Sequence, residues 1–139
     1  MKDCGVRIAV LSDAVELVRL MKQLGYEIGL AAMKENIRYY LEHPEYFAWV
    51  AEGEKGKVLG SISGVVIRTF HCDASDVKIL SVVVDEDARG QGIGKRMIGA
   101  VEGYALQRGC RLVELTSNVK RVKDGTHAFY EGLGYGERG

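Results

Sequence analysis

Between Val77 and Val84 only Lys78 and Ser81 interrupt a run of aliphatic residues, and the run ends in Asp85-Glu86-Asp87-Ala88-Arg89-Gly90-Gln91-Gly92-Ile93-Gly94. An apolar run of strand length suits a central strand covered on both faces. The turn after it is rich in small residues. Met97, Ile98, Val101 and Ala105 then mark one helical face, which Gly109 stops. A strand feeding a glycine-rich turn and then a helix commits the chain to a layered α/β fold.

The flanking segments supply the remaining layers. Val6 to Val10 alternates weakly as a strand, and Ser12-Asp13 is an N-cap pair before Ala14, Leu17, Val18 and Met21 at helical spacing. Met33, Ile37, Tyr40 and Leu41 predict a second helix, which Pro44 ends. Tyr46 to Ala51 reads as a strand, Glu52 to Lys57 as a charged turn, and Val58 to Phe70 as the second arm of a hairpin. The polar loop His71 to Asp76 leads into the central strand. Arg111 to Thr116 predicts another strand, Ser117 to Gly125 a polar loop, and Thr126 to Glu131 a short helix closed by Gly132 and Gly134. The predicted order is β-α-α-β-β-β-α-β-α in a mixed α/β sheet.

At 139 residues, with 47% hydrophobic and 27% charged residues, the composition fits one soluble domain spanning 1–139. Lys plus Arg and Asp plus Glu each number 19, so the net charge is zero and the broad basic field of a nucleic-acid binder is missing. Lys120, Arg121 and Lys123 form one short basic loop, which reads as solvated surface charge. Apolar runs fall well short of the roughly 20 residues that span a bilayer, and the start Met1-Lys2-Asp3 has no apolar signal core. A cytoplasmic protein without membrane contact is expected. Cys4, Cys72 and Cys110 lack the short paired spacing of zinc or redox sites, so no metal is expected and the thiols read as structural. A nucleophilic cysteine served by His43, His71 or His127 is the weaker reading, because no cysteine sits in a turn built to present it.

The turn at Arg89–Lys95 carries the chemistry. Free backbone N–H groups and the positive end of a helix dipole meet there, which is an arrangement that binds anions. Gly90, Gly92 and Gly94 remove the Cβ atoms that would hold a phosphate away, and Arg89, Lys95 and Arg96 add positive charge. A P-loop would need glycine where Arg89 stands and Ser or Thr where Arg96 stands. A dinucleotide fingerprint would need glycine at Lys95 or at Met97, according to which glycine begins the count.

The pattern that does match is R/Q-x-x-G-x-G/A, here Arg89-Gly90-Gln91-Gly92-Ile93-Gly94, which resembles the pyrophosphate loop of the GNAT superfamily of N-acetyltransferases. Leu80 to Ala88 before it resembles that family's fourth strand and turn. Ala128-Phe129-Tyr130-Glu131-Gly132-Leu133-Gly134-Tyr135 resembles the family's late F-Y-E-x-L-G-F/Y signature. The element order also matches, so the likeness extends over nearly the whole chain.

The resemblance implies acetyl-CoA as cosubstrate and an amine as acceptor. It places the pantetheine arm along the backbone of Val82, Val83 and Val84, with an N–H near Val82 polarising the thioester carbonyl. It places the pyrophosphate on Arg89, Gly90, Gln91, Gly92, Ile93, Gly94 and Lys95. Tyr130 matches the residue that protonates the departing thiolate, and Asn118 matches a position that hydrogen-bonds the pantetheine or a water. A lysine-like amine, with a pKa of about 10.4, must lose a proton before it attacks. Many relatives carry a glutamate for this where Leu80 stands. Glu114, Asp85 and His127 are the alternative bases, and a water chain is another route.

The region Gly25 to Glu42 forms part of the acceptor wall in such proteins, and here it offers Tyr26, Glu27 and Glu35 with Tyr39 and Tyr40. Carboxylates there suit a cationic amine: a polyamine, an aminoglycoside-like molecule or a peptide amine. The segment from Asn118 to Tyr130 is longer than in similar runs, with Asp124-Gly125 as the insertion. Family members continue past the late signature into further strands, whereas here the sequence reads Gly136-Glu137-Arg138-Gly139, so the C-terminal strands are expected to be short or missing. The sheet edge this would open predicts a homodimer. The competing function is a non-catalytic acyl-CoA sensor, suggested by the leucine at position 80 and by the expected shortness of the C-terminal strands.

Overall fold

The computed structural model describes residues 5–115. These form β1 (Gly5–Ile8), α1 (Ala14–Leu24), α2 (Leu30–Glu42), β2 (Tyr46–Glu52), β3 (Val58–Arg68), β4 (Ser75–Val84), α3 (Ile93–Gln107) and β5 (Val113–Leu115). The order matches the sequence expectation as far as β5; the expected helix at 126–131 lies outside the described residues. The sheet runs β1-β2-β3-β4-β5, antiparallel through β4 and then parallel where β5 joins. That parallel step requires a crossover, which α3 supplies.

The sheet is covered on both faces. On one, α3 packs Ile93, Met97, Ile98 and Val101 against Phe47, Ile62, Val77 and Ile79. On the other, α1 and α2 pack Leu17, Leu20, Leu24, Met33 and Ile37 against Val50, Val58 and Val83. The apolar residues of α1 recur every three or four positions, so one stripe is buried, and Gly25, with φ 108°, ends the helix in the left-handed region. α2 stops because His43, preceding Pro44, is extended. Among the described residues no helix is long and apolar enough to cross a membrane.

Four local expectations are corrected. β1 ends at Ile8, and a 3-10 turn at Leu11–Asp13 follows in place of a longer strand. The Asp13 side chain does not cap α1; it accepts hydrogen bonds from Arg7 and from the Val10 N–H. Leu41, assigned to the core face of α2, is 51% exposed because the buried stripe is narrower, with only Met33 and Ile37 fully inside. β4 is hydrogen-bonded on both edges but is not covered throughout, since Leu80 is 40% exposed.

The exposure of Leu80 has a geometric cause. Ser63 pairs with Ser81, but the next residue, Gly64, pairs with Ile79, so Leu80 is the extra residue of a β-bulge. A bulge reverses which face successive residues present. Val77, Ile79 and then Val82 pack on the α3 side, while Val83 joins the cluster beneath α1 and α2. Strict alternation would have put Ser81 beneath α3. The bulge turns it to the other face.

Candidate functional site

The C-terminal end of β4 and the start of α3 meet at one tightly held turn. Asp85, 2% exposed, accepts hydrogen bonds from the Asp87 N–H at 3.1 Å, Arg19 Nη1 at 2.8 Å and Gln23 Nε2 at 3.4 Å. Gln23 also accepts the Glu86 N–H at 2.9 Å. Burial alone would raise the Asp85 pKa; the Asp87 N–H, Arg19 and Gln23 outweigh it and hold the carboxyl below its ordinary value. Two side chains one turn apart on α1 therefore clamp the turn that leads into α3.

Beyond the clamp, Gly90 and Gly92 adopt φ 82° and 80°, a region that L side chains rarely enter. A Cβ built at either position would meet nothing within 4 Å, so backbone conformation rather than crowding demands glycine. The first bond at the head of α3 runs from the Arg96 N–H to the Gly92 carbonyl at 3.0 Å. The N–H groups of Ile93, Gly94 and Lys95 thus have no acceptor within the helix. Ile93 and Gly94 are buried, while Arg89, Lys95 and Arg96 are exposed around the turn. The arrangement presents N–H dipoles and positive charge to one outward-facing spot.

Next to this turn β4 has an edge at which the described residues place no partner strand. β3 takes Val82, Val83 and Val84 opposite Ile62, Ser61 and Gly60, and the described residues of β5 pair with Val77 to Ile79. Among the described residues, no strand occupies the other edge at Val82–Val84. The side chains of Val82 and Val83 are buried on opposite faces, so the backbone is what this edge offers.

On the α1–α2 side of β4 lies a cavity of about 420 Å³. Leu17 and Met21 of α1, Met33 and Ile37 of α2, Ile28 and Tyr40 form much of its wall. Ser61, Ser63 and Ser81 form a hydroxyl floor on the sheet, with Ser63 Oγ and Ser81 Oγ hydrogen-bonded at 2.6 Å. Tyr26 and Glu27, both exposed, stand at its mouth, and Asn36 completes the lining. Burial pushes the Tyr40 phenol upward in pKa, with Tyr46 and Tyr39 adding to the effect, so it stays neutral at ordinary pH.

The structure therefore brings the residues of Arg89–Lys95 together with Val82–Val84, and brings Tyr26 and Glu27 to the cavity. Glu35 is not among its lining: it points to solvent and pairs with Arg38 at 2.7 Å, and its helical neighbour Asn36 reaches the cavity instead. Among the candidate bases, Asp85 is committed to the α1 clamp and Glu114 lies in β5 opposite Lys78. Asn118, His127 and Tyr130 lie outside the described residues. The serine floor and the Arg19–Gln23 clamp were missed from sequence. Ser61 and Ser63, two apart in an apolar strand and so on one face, were the available signal for the floor.

The acetyltransferase (GNAT) family matches residues 12–135. An uncharacterized N-acetyltransferase of Methanocaldococcus jannaschii is 32% identical over 126 residues, which is 81% of this chain and 55% of that protein. The chain thus spans about half the length of that relative. The aminoalkylphosphonate N-acetyltransferase of Salmonella typhimurium is 31% identical over 135 residues, covering 95% of this chain and 84% of the relative. A crystal structure of an aminoglycoside N-acetyltransferase in complex with CoA superposes with a TM-score of 0.81 at 19% identity, covering 98% of this chain and 90% of that one.

Proposed function

Because the chain belongs to the GNAT acetyltransferase family, we propose that it moves an acetyl group from acetyl-CoA to a primary amine of a small molecule or peptide, by direct attack in a ternary complex. The observation that carries this reading is the pairing of two features: a turn of left-handed glycines at the head of α3, and beside it a backbone edge at Val82–Val84 that, among the described residues, no second strand takes. The pantetheine arm takes that edge as an added strand, and the diphosphate takes the N–H groups from Gln91 to Lys95 with Arg89 alongside. An N–H near Val82 meets the thioester oxygen as negative charge develops there. Asn118 holds the pantetheine, and Tyr130 protonates the leaving thiolate.

The reaction balances simply. The neutral amine nitrogen forms a bond to the carbonyl carbon, the C–S bond breaks, and the amine loses one proton as the thiolate gains one. Amide and free thiol result.

Calorimetric titration with acetyl-CoA tests the cofactor half. Gly92→Val forces a branched side chain into a left-handed backbone and sets it before the helix N-terminus, so affinity should fall by about tenfold or more. Absence of heat with any acyl-CoA would remove the assignment. The second reading, an acyl-CoA sensor, is favoured by one feature, the leucine exposed at the bulge. Tyr130→Phe separates the two: an enzyme loses turnover while keeping its cofactor, and a sensor has no thiol release to lose.

A further inference from the structure

The cavity beneath α1 and α2 is lined mostly by apolar side chains, with three serines on its floor and a single carboxylate, Glu27, in its lining. At its inner end lie Ser61, which is 5% exposed, and the hydrogen-bonded Ser63–Ser81 pair. The bulge at Leu80 is what aims Ser81 here, immediately before the Val82–Val84 edge. At the outer end stands the Glu27 carboxylate, exposed at the mouth. The rest of the wall is mostly aliphatic and thioether, from Leu17, Met21, Ile28 and Met33, with Asn36 and Tyr40 as its polar members.

We propose that the acceptor is an α,ω-diamine. This rests on the acetyl-CoA reading above and narrows its substrate. One nitrogen, neutral, lies over the serine pair beside β4; the other, an ammonium, faces Glu27 at the mouth; the methylene arm lies along the apolar wall. The inner nitrogen, having given its ammonium proton to water on entry, attacks the thioester carbon; the C–S bond breaks, and the proton the nitrogen sheds as the amide forms is matched by the one the thiolate takes up, leaving a mono-N-acetyl diamine and free thiol. The outer nitrogen keeps its charge throughout.

The wall decides against the other cationic amines. An aminoglycoside or a peptide carries more hydroxyls or amides than Asn36, Tyr40 and the serines can satisfy, and presses the rest against Leu17, Met21 and Met33, where they lose water without gaining a hydrogen bond. A simple alkylamine fills the wall equally well but leaves Glu27 unused. The carboxylate therefore sets the preference between diamine and monoamine, through a charge pair at a solvent-exposed rim.

Thiol release measured with putrescine and cadaverine against n-butylamine and n-pentylamine, with acetyl-CoA saturating, tests this. The diamines should exceed the matched monoamines in kcat/KM by about fivefold, the upper range for an exposed pair. Glu27→Gln should bring that ratio within about twofold while the calorimetric affinity for acetyl-CoA is retained. Glu27→Lys should shift preference away from the diamines toward an aminoalkylphosphonate, whose far end is anionic. Monoamines equal to diamines in the parent protein, or a ratio untouched by Glu27→Gln, would overturn the proposal. Acetyl-CoA bound with no diamine acetylated overturns the diamine assignment alone; no acetyl-CoA binding overturns it together with the reading beneath it.

Discussion

Gly64 shows how one residue can decide what a neighbouring strand presents. It stands on β3 at the step where the register with β4 slips, and a Cβ there would collide with the Lys78 carbonyl and the Phe47 ring. Its φ is unremarkable, so the demand is for space. Gly64→Ala should destabilise the fold by about 1–3 kcal/mol, because either β4 or the Phe47 ring must move. Urea unfolding monitored by circular dichroism measures this; a loss below a few tenths would mean the backbone accommodates the methyl freely. The change should also disturb the bulge, and with it the aim of Ser81. Gly90 and Gly92 could be read from sequence as turn glycines, because a glycine-rich stretch between a strand and a helix has few other uses. Gly64 could not: inside an apolar strand nothing in the sequence says which backbone will approach it. Glu35 shows the complementary limit, since a helical position one residue out of phase faces solvent while Asn36 faces the cavity.

At the scale of elements, α1 ties two functions together. Its apolar stripe fixes it to the sheet, Leu17 and Met21 line the cavity, and Arg19 and Gln23 hold the turn leading to α3. Asp85→Ala removes the acceptor on which Arg19, Gln23 and the Asp87 N–H converge. It should cost about 1–3 kcal/mol of stability, the range for leaving buried polar groups unpaired. It should also weaken acetyl-CoA binding, since the glycine turn loses its anchor. Denaturant titration and calorimetry on the same variant check both parts, and unchanged cofactor affinity in the destabilised protein would confine Asp85 to a structural role. The elements themselves were legible in order and nearly in extent, because apolar periodicity reports burial directly. Their coupling was not: Arg19 and Asp85 are separated by 66 positions, and no local pattern records which exposed-looking helix residue meets which loop.

For the whole molecule, two buried carboxylates make stability depend on acid. Asp13 ties β1 to the start of α1 through a two-pronged bond to Arg7, both prongs at 2.9 Å, and Asp85 ties α1 to the end of β4. The Arg7 bond is the chief reason that Asp13 lies below its ordinary pKa of 3.8; Asp85 lies below the same value although burial opposes it. Both shifts have one sign. The unfolded chain takes up protons near pH 3.8 while the folded chain still refuses them, so each carboxylate stabilises the fold fully above that pH. The contribution is lost as pH falls through the folded values. The thermal midpoint should therefore be insensitive to these groups from neutrality down to about pH 4 and then drop steeply. A protein carrying Asp13→Asn and Asp85→Asn together should melt lower at neutral pH, yet lose less on further acidification, because the groups that release stability are gone. Scanning calorimetry from neutral pH down to about pH 2.5 compares the two acid limbs. Parallel limbs would place the acid sensitivity in other carboxylates and leave these two ion pairs without a role in it.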